Sequence, residues 1–230
     1  MFLVGDTHGS YKTLRELIKK FPSKEDIVFV GDLIDRGPKS NQVLEFIIKE
    51  GHQSVMGNHE WMLLCYLFTE EFNDGFSLHT PYYWNFWVRN GGAETLKSYN
   101  ENLTELFAGY VDIPEEHVLW IKNLPNFLEF KDLKTEDGRY LHVSHTHLPE
   151  DYAHDIQTLE YGHGRYHHFL RQYPVDYKEI FQVFGHTPSV PISVLLGDFY
   201  ANIDTGCCFG HYLSALRFPS MEVYQRGNID

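Results

Sequence analysis

Short apolar runs alternate with helix-spaced apolar positions over the first seventy residues. Phe2-Leu3-Val4 is an apolar run closed by Gly5, and it predicts a short strand. Tyr11, Leu14, Leu17, Ile18 and Phe21 then recur three and four positions apart, as one face of a helix does; Ser10 would cap it and Pro22 would end it. Ile27 to Val30 is apolar without alternation, which predicts a strand buried on both faces in a helix-covered sheet. Val43, Leu44, Phe46, Ile47 and Ile48 give a second helix stopping near Gly51. A weaker strand over Gln53 to Met56 and a helix from His59 to Phe68 follow. The order βαβαβα predicts an α/β fold.

Residues 71–125 read differently. They are polar and aromatic, with Tyr82, Tyr83, Trp84, Phe86 and Trp87 close together before Gly91-Gly92. Helices are predicted over Ala93 to Tyr99, Leu103 to Ala108 and Glu115 to Leu124. A stretch this short makes a thin core on its own, so it reads as a helical insert within one domain spanning residues 1–230. Its aromatics either form a small local core or offer Trp84, Phe86 and Trp87 to stack on a base. Beyond it, Phe127 to Phe130, Tyr140 to Ser144, Ile180 to Phe184, Ile192 to Leu196, Phe199 to Ile203, Tyr212 to Phe218 and Glu222 to Tyr224 predict short strands. They are grouped here as a second sheet packed on the first.

Composition narrows the function classes. The 230 residues carry 19 Lys plus Arg against 32 Asp plus Glu, a formal charge of −13. Such a field repels duplex nucleic acid and anionic membranes, so neither is expected as a partner. Cys65, Cys207 and Cys208 suit neither a disulfide framework nor a cysteine zinc site. MFLVGDTHGS carries no positive leader with an apolar core, and the apolar patch from Trp61 to Phe68 is far too short to span a bilayer. The expectation is a reduced, cytoplasmic protein. The unusual feature is fourteen histidines.

Several of those histidines, and most of the informative acids, stand where predicted strands end. Asp6 and His8 follow the first strand, Asp32 and Asp35 the second, and Asn58 and His59 the third. His145 follows the strand ending at Ser144, and His186 the one ending at Phe184. In an open α/β sheet the carboxyl ends of strands line one crevice, so these distant residues can converge. Carboxylates, imidazoles and a carboxamide oxygen suit Mn²⁺, Fe or Zn²⁺, and a cluster of this size can hold two ions sharing one carboxylate. Arg36, next to Asp35, supplies a planar charged fork for a phosphoryl group. Taken singly, a Gly-Asp pair is an ordinary turn and Gly57-Asn58 an ordinary helix entry. Five such segments each closing a strand are not.

Gly5-Asp6-Thr7-His8-Gly9, Gly31-Asp32-Leu33-Ile34-Asp35-Arg36-Gly37 and Gly57-Asn58-His59-Glu60 resemble the three signature blocks of the calcineurin-like metallophosphoesterases. The Asp-Arg-Gly form resembles the phosphoprotein phosphatase branch, in particular its compact bacterial and bacteriophage members. Ser144-His145, Gly185-His186-Thr187-Pro188 and Ile203-Asp204-Thr205-Gly206 resemble later blocks of the same family. The resemblance implies a four-layer α-β-β-α sandwich and two divalent metal ions, with Mn²⁺ ahead of Fe or Zn²⁺. It implies Asp6, His8, Asp32, Asn58, His145 and His186 as metal ligands, with Asp32 bridging. It further implies His59 as general acid, Asp35 as its orienting carboxylate and Arg36 as phosphate clamp. Arg165, in Tyr161-Gly162-His163-Gly164-Arg165, stands as the second clamp, with Arg171 as the other candidate and placed on a helix surface. His147, His163, His167 and His168 are read as surface residues.

The implied activity is a dinuclear-metal phosphomonoesterase acting on phosphoserine or phosphothreonine in proteins, with a metal-bridging hydroxide attacking phosphorus in line. Its expected partners are phosphorylated proteins or small phosphoesters, and no obligate regulatory subunit is implied. Two alternatives stay open. Asp204-Thr205-Gly206-Cys207 with Leu213-Ser214-Ala215-Leu216 also resembles symmetrical diadenosine tetraphosphate hydrolases, and a catalytically silent metal-binding interaction protein would need the same ligands.

Overall fold

Alternation within the first strands decides which way each side chain faces. In β1 (Phe2–Val4), Phe2 and Val4 belong to one apolar cluster with Leu14, Leu17, Leu44 and Ile47 of the helices. Leu3 belongs to a second cluster with Val143, Val183 and Ala201. In β2 (Ile27–Phe29) the same split puts Ile27 and Phe29 with the helices and Val28 with the second cluster. A strand apolar on both faces is thereby sandwiched, as its continuous apolar run requires. The computed structural model describes residues 1–68, 86–101, 112–148, 171 and 173–230.

The helices are α1 (Tyr11–Ile18), α2 (Ser40–Glu50), α3 (Asn58–Leu67), α4 (Ala93–Tyr99) and α5 (Glu115–Lys122). The remaining strands are β3 (Gln53–Ser54), β4 (Phe127–Lys134), β5 (Tyr140–Ser144), β6 (Ile180–Phe184), β7 (Leu195–Leu196), β8 (Tyr200–Asn202), β9 (Tyr212–Arg217) and β10 (Glu222–Gly227). One sheet has the order β10-β9-β1-β2-β3 and the other β4-β5-β6-β8-β7. In the first, β1, β2 and β3 run parallel, with Leu3 opposite Val28 and Phe29 opposite Ser54. In the second, β5, β6 and β8 run parallel between antiparallel edges.

The expected α/β sandwich of two packed sheets is present. One assignment is corrected: residues 212–218 and 222–224 do not extend the second sheet. β9 pairs antiparallel with β1, Leu3 opposite Leu216, and β10 pairs with β9. Leu213 and Ala215 join the helix-side cluster while Leu216 joins the inter-sheet one, the facing a first-sheet strand needs. The helix expected over Leu103 to Ala108 falls on residues outside those described.

Two helix starts also differ. Ser10 makes no side-chain capping bond on α1. At α3 the cap is Gly57, and Glu60 reaches back to accept a hydrogen bond from its N–H at 3.0 Å, which frees the Asn58 side chain for another purpose. In the insert, Trp87, Leu96, Ile113 and Ile121 share the helix-side core with Phe2 and Leu44. Among the described residues no helix is long and apolar enough to cross a membrane.

Candidate metal centre

The loops leaving β1, β2, β5 and β6 are locked together by their backbones. Thr7 and His8 N–H groups both donate to the Asp32 carbonyl, at 3.0 and 2.8 Å, Gly9 N–H donates to Leu33, and Gly185 N–H donates to His145 at 3.0 Å. The close fit leaves no room for side chains at certain turns: a Cβ on Gly185 would collide with the Asp6 carboxylate. Among the described residues, six non-glycines have positive φ, and five of them are His8, Asp32, Asp35, Arg36 and His186. Backbone held in that region costs about 1–3 kcal/mol per residue and persists where the surroundings over-determine it. Here the strain aims functional side chains.

Asp32 sits at the centre. His8, Asp32 and His59 can bring one ligand atom each within 4.8 Å of one another, and so can Asp32, His145 and His186. The two triads share Asp32, whose Oδ2 lies 3.5 Å from His8 Nε2 and whose Oδ1 lies 3.3 Å from His145 Nε2. Asn58 Oδ1 closes the second group, 2.9 Å from His145 Nε2 and 2.8 Å from His186 Nδ1. Asp6 joins the centre from β1, its carboxylate accepting the His186 N–H at 3.0 Å. The six residues expected as ligands therefore meet in one place, from segments spread over 180 positions.

Tautomers and charge fit cations. His8 Nδ1 donates to the Ile34 carbonyl and His145 Nδ1 to the Val30 carbonyl, both at 2.8 Å, so each Nε2 turns a lone pair toward Asp32. Burial lowers the pKa of His8 and of His145, and burial first, then His145 beside it, pushes His186 down to about 3. Burial works against ionisation of Asp32, yet the four surrounding imidazoles hold its pKa well below the ordinary carboxylate value. Asp6 goes the other way, raised by burial and by the Asp204 and Asp32 carboxylates. Carboxylates and lone pairs gathered out of water are costly unless a cation is among them. The donor set fits two divalent ions.

The acid–base pair is also assembled. His59 Nδ1 lies 2.6 Å from Asp35 Oδ2, and His59 Nε2 is buried with no hydrogen-bond partner among the described residues. Burial disfavours the imidazolium, but Asp32 and Asp35 outweigh it and raise the His59 pKa. The insert holds the pair in place. Trp87 Nε1 donates to Asp35 Oδ2 at 2.9 Å and Thr95 Oγ1 to Asp35 Oδ1 at 2.6 Å. Arg36 N–H donates to Gly91 at 3.1 Å, and Gly91, at φ +110, lies so close that a Cβ would meet the Arg36 backbone. Trp87 is fully buried and stacked on Tyr66, so it is no platform for a base. The Arg36 guanidinium donates to His8 Nε2 at 2.9 Å and lies over the Phe209 ring.

Three residues escape sequence reasoning. Trp87 and Thr95 sit in a region with no family block, and only the fold brings them to Asp35. Glu60 stands in a quoted block without a role; its carboxylate accepts from the N–H groups of Asp32, Leu33, Ile34 and Gly57 and so shapes the Asp32 turn. Burial first, then the Asp32 charge, raises its pKa to about 7. Two placements are corrected. His147 is buried, its ring edge-on to Phe184, because the chain turns inward after β5. Arg171 lies in an irregular segment and lines a cavity with Gly185 and Thr187, near enough for its charge to act on His186. Arg165, His163, His167, His168 and Trp84 lie outside the described residues.

A sequence model of the calcineurin-like phosphoesterases matches residues 2–190. The bis(5′-nucleosyl)-tetraphosphatase PrpE [asymmetrical] of Halalkalibacterium halodurans is 29% identical over 247 residues, covering 96% of this chain and 90% of the relative. The Bacillus subtilis protein of that name is 29% identical over 242 residues, with 96% and 91% covered. Among solved structures, a provisionally assigned diadenosine tetraphosphatase superposes with TM-score 0.61 at 19% identity, covering 100% of this chain and 93% of the other. A cold-active protein-tyrosine phosphatase of a Shewanella species superposes with TM-score 0.55 at 18% identity, covering 94% and 75%. At those identities the structures speak for the fold alone.

Proposed function

Because the chain belongs to the calcineurin-like phosphoesterases, metal-dependent hydrolases of phosphoesters, we propose that it splits dinucleoside tetraphosphates into unequal halves. The observation that supports this most is the match to bis(5′-nucleosyl)-tetraphosphatases over 96% of the chain and about nine-tenths of their length. It favours the dinucleotide alternative over the phosphoprotein reading, and the asymmetrical form over the symmetrical one.

Asp6, His8 and Asp32 on one side, with Asp32, Asn58, His145 and His186 on the other, would hold two divalent ions, while His59, close to the first group, stays free for proton transfer. Ions there would supply activation of water and neutralisation of phosphoryl charge. Arg36 is placed by the Asp35 turn and Gly91, and its fork would receive the equatorial oxygens of the attacked phosphoryl group. His59, with Nδ1 fixed on Asp35, holds a proton at Nε2 for the departing oxygen. Water adds across one phosphoanhydride bond: its oxygen goes to phosphorus and a proton to the leaving phosphate. Release of a nucleoside monophosphate and a triphosphate follows from cleavage next to one end.

A phosphoprotein activity is the second reading, favoured by the Asp35–His59 pair and the Gly185-His186-Thr187-Pro188 turn. Rates of the Mn²⁺-loaded protein on diadenosine tetraphosphate and on phosphoseryl peptides decide between them. Equal adenosine 5′-phosphate and adenosine 5′-triphosphate from the dinucleotide is the expected result. Two molecules of adenosine 5′-diphosphate, or hydrolysis of the peptides alone, would refute it.

A further inference from the structure

Beside the metal centre lies a cavity of about 340 Å³, within the ~300–1,000 Å³ range of small-ligand sites. It opens where β6 and β8 end. Thr146 follows the ligand His145, and Gly185 and Thr187 flank the ligand His186, so the cavity wall and the metal centre share a backbone. Its floor is aromatic: Phe184 and Tyr200 stack with ring centroids 6.0 Å apart and planes 24° off parallel, and the His147 ring stands edge-on to Phe184. Its rim is apolar and bare, with Tyr173 93%, Val190 94% and Leu195 45% exposed. Arg171 is among the residues that line it. Thr187 Oγ1 is buried without a hydrogen-bond partner among the described residues.

We propose that this cavity binds one nucleoside of the dinucleotide, and that its position next to the second metal triad sets which phosphoanhydride bond is cut. The inference rests on the proposed function and deepens it. A nucleoside offers what the cavity asks for: a flat aromatic base for the Phe184–Tyr200 wall, and sugar hydroxyls for the lone Thr187 hydroxyl. Arg171 faces the phosphate chain leaving the sugar. A base seated there would direct its nearest phosphate toward the His145–His186 side of the centre, whose backbone the cavity wall shares. Unequal products would follow from that adjacency, with no contact needed at the far nucleoside.

The test compares two non-hydrolysable ligands of the Mn²⁺-loaded protein that differ only by the nucleoside: α,β-methyleneadenosine 5′-diphosphate and methylenediphosphonate. Calorimetric titration should show the nucleoside compound binding at least tenfold tighter. Leu195→Trp, at the exposed rim of an edge strand, should fill the cavity and erase that preference; Tyr200→Leu should weaken it and lower kcat/KM for diadenosine tetraphosphate relative to p-nitrophenyl phosphate by a similar factor. Equal affinities in the parent protein, or a preference untouched in both variants, overturns the cavity assignment. A preference that disappears with Leu195→Trp in a protein that never splits the dinucleotide would uphold the nucleoside site and overturn the proposed function instead.

Discussion

The two ends of the first sheet treat charge in opposite ways. At the carboxyl end, Asp6, Asp32, Asp35 and Glu60 are all buried, joined there by buried Asp204 from the loop after β8 of the second sheet, and five positive-φ residues aim the side chains gathered there. At the amino end, Glu25 takes the Arg217 guanidinium at 2.6 Å and the N-terminal amine, while Arg217 also reaches Glu222 at 3.1 Å. These groups are partly exposed and each has a partner of opposite sign. The contrast separates charge that is ready to work from charge that only supports the fold. Carboxylates raised by burial first and by one another second, as Asp6 is and as Asp204 is, up to about 7, mark a place suited to cations. An exposed ion pair satisfied by its partners marks nothing but a sheet edge.

The sharpest way to break this comparison is Asp32→Asn. Asp32 belongs to both triads, so metal content at saturation should fall below two ions per chain. Activity should fall by more than the ~10–100-fold typical of losing a group that merely supports a ligand. Retention of two ions with full turnover would mean that Asp32 is only a turn residue.

Next in size is His59→Asn. It should slow substrates with poor leaving groups by about 10²–10⁴-fold and p-nitrophenyl phosphate far less, because that leaving group needs little protonation. Asp35→Asn and Trp87→Phe should give smaller losses of the same selective kind, since Trp87 acts only by holding Asp35 at 2.9 Å. Losses uniform across leaving groups would move His59 from acid to metal ligand, as its place in the first triad allows. For the second phosphate clamp, Arg171→Ala should raise KM with metal content unchanged, given its place on the cavity beside His186. An unaffected KM would return that part to Arg165.

The same contrast explains what could be read in advance. The residues gathered at the centre were legible because each follows a strand that apolar runs disclose, and because five such segments closing strands together are not explained as ordinary turns, although each alone would be. Asp35 and Arg36 were legible by adjacency to Asp32. Trp87 and Thr95 were not: their bonds to Asp35 join positions 52 and 60 residues apart, and nothing local distinguishes this Trp from Trp84. Glu60 looked like an ordinary first-turn acid until its carboxylate was seen to gather four backbone N–H groups. The sheet membership of β9 and β10 depends on antiparallel pairing with the first strand across some 210 residues, and strand pairing over such a separation leaves no periodic trace. His147 was misplaced because a polar residue after a strand is solvent-facing by default, whereas here the ring is buried against Phe184.

The smallest effect is expected at the amino end and serves as the control. Glu25 has its pKa lowered from 4.5 to about 2, first by its hydrogen bond to the N-terminal amine and then by Ser23 and Arg217. A carboxylate whose folded pKa is depressed contributes stability that is complete above its unfolded value and is lost as pH falls toward the folded one. Glu25→Gln should therefore reduce unfolding stability by less than about 1 kcal/mol at neutral pH, because the group is solvent-screened. The deficit should shrink between pH 4.5 and about 2, where the parent carboxylate becomes protonated too. Urea unfolding of parent and variant across that range measures it, alongside turnover at neutral pH. Turnover should not change, since no residue of this cluster lies at the carboxyl end of the sheet. A deficit that stays constant down to pH 2 would show that Glu25 acts through packing, and a loss of turnover would show that the two ends of the sheet are energetically joined.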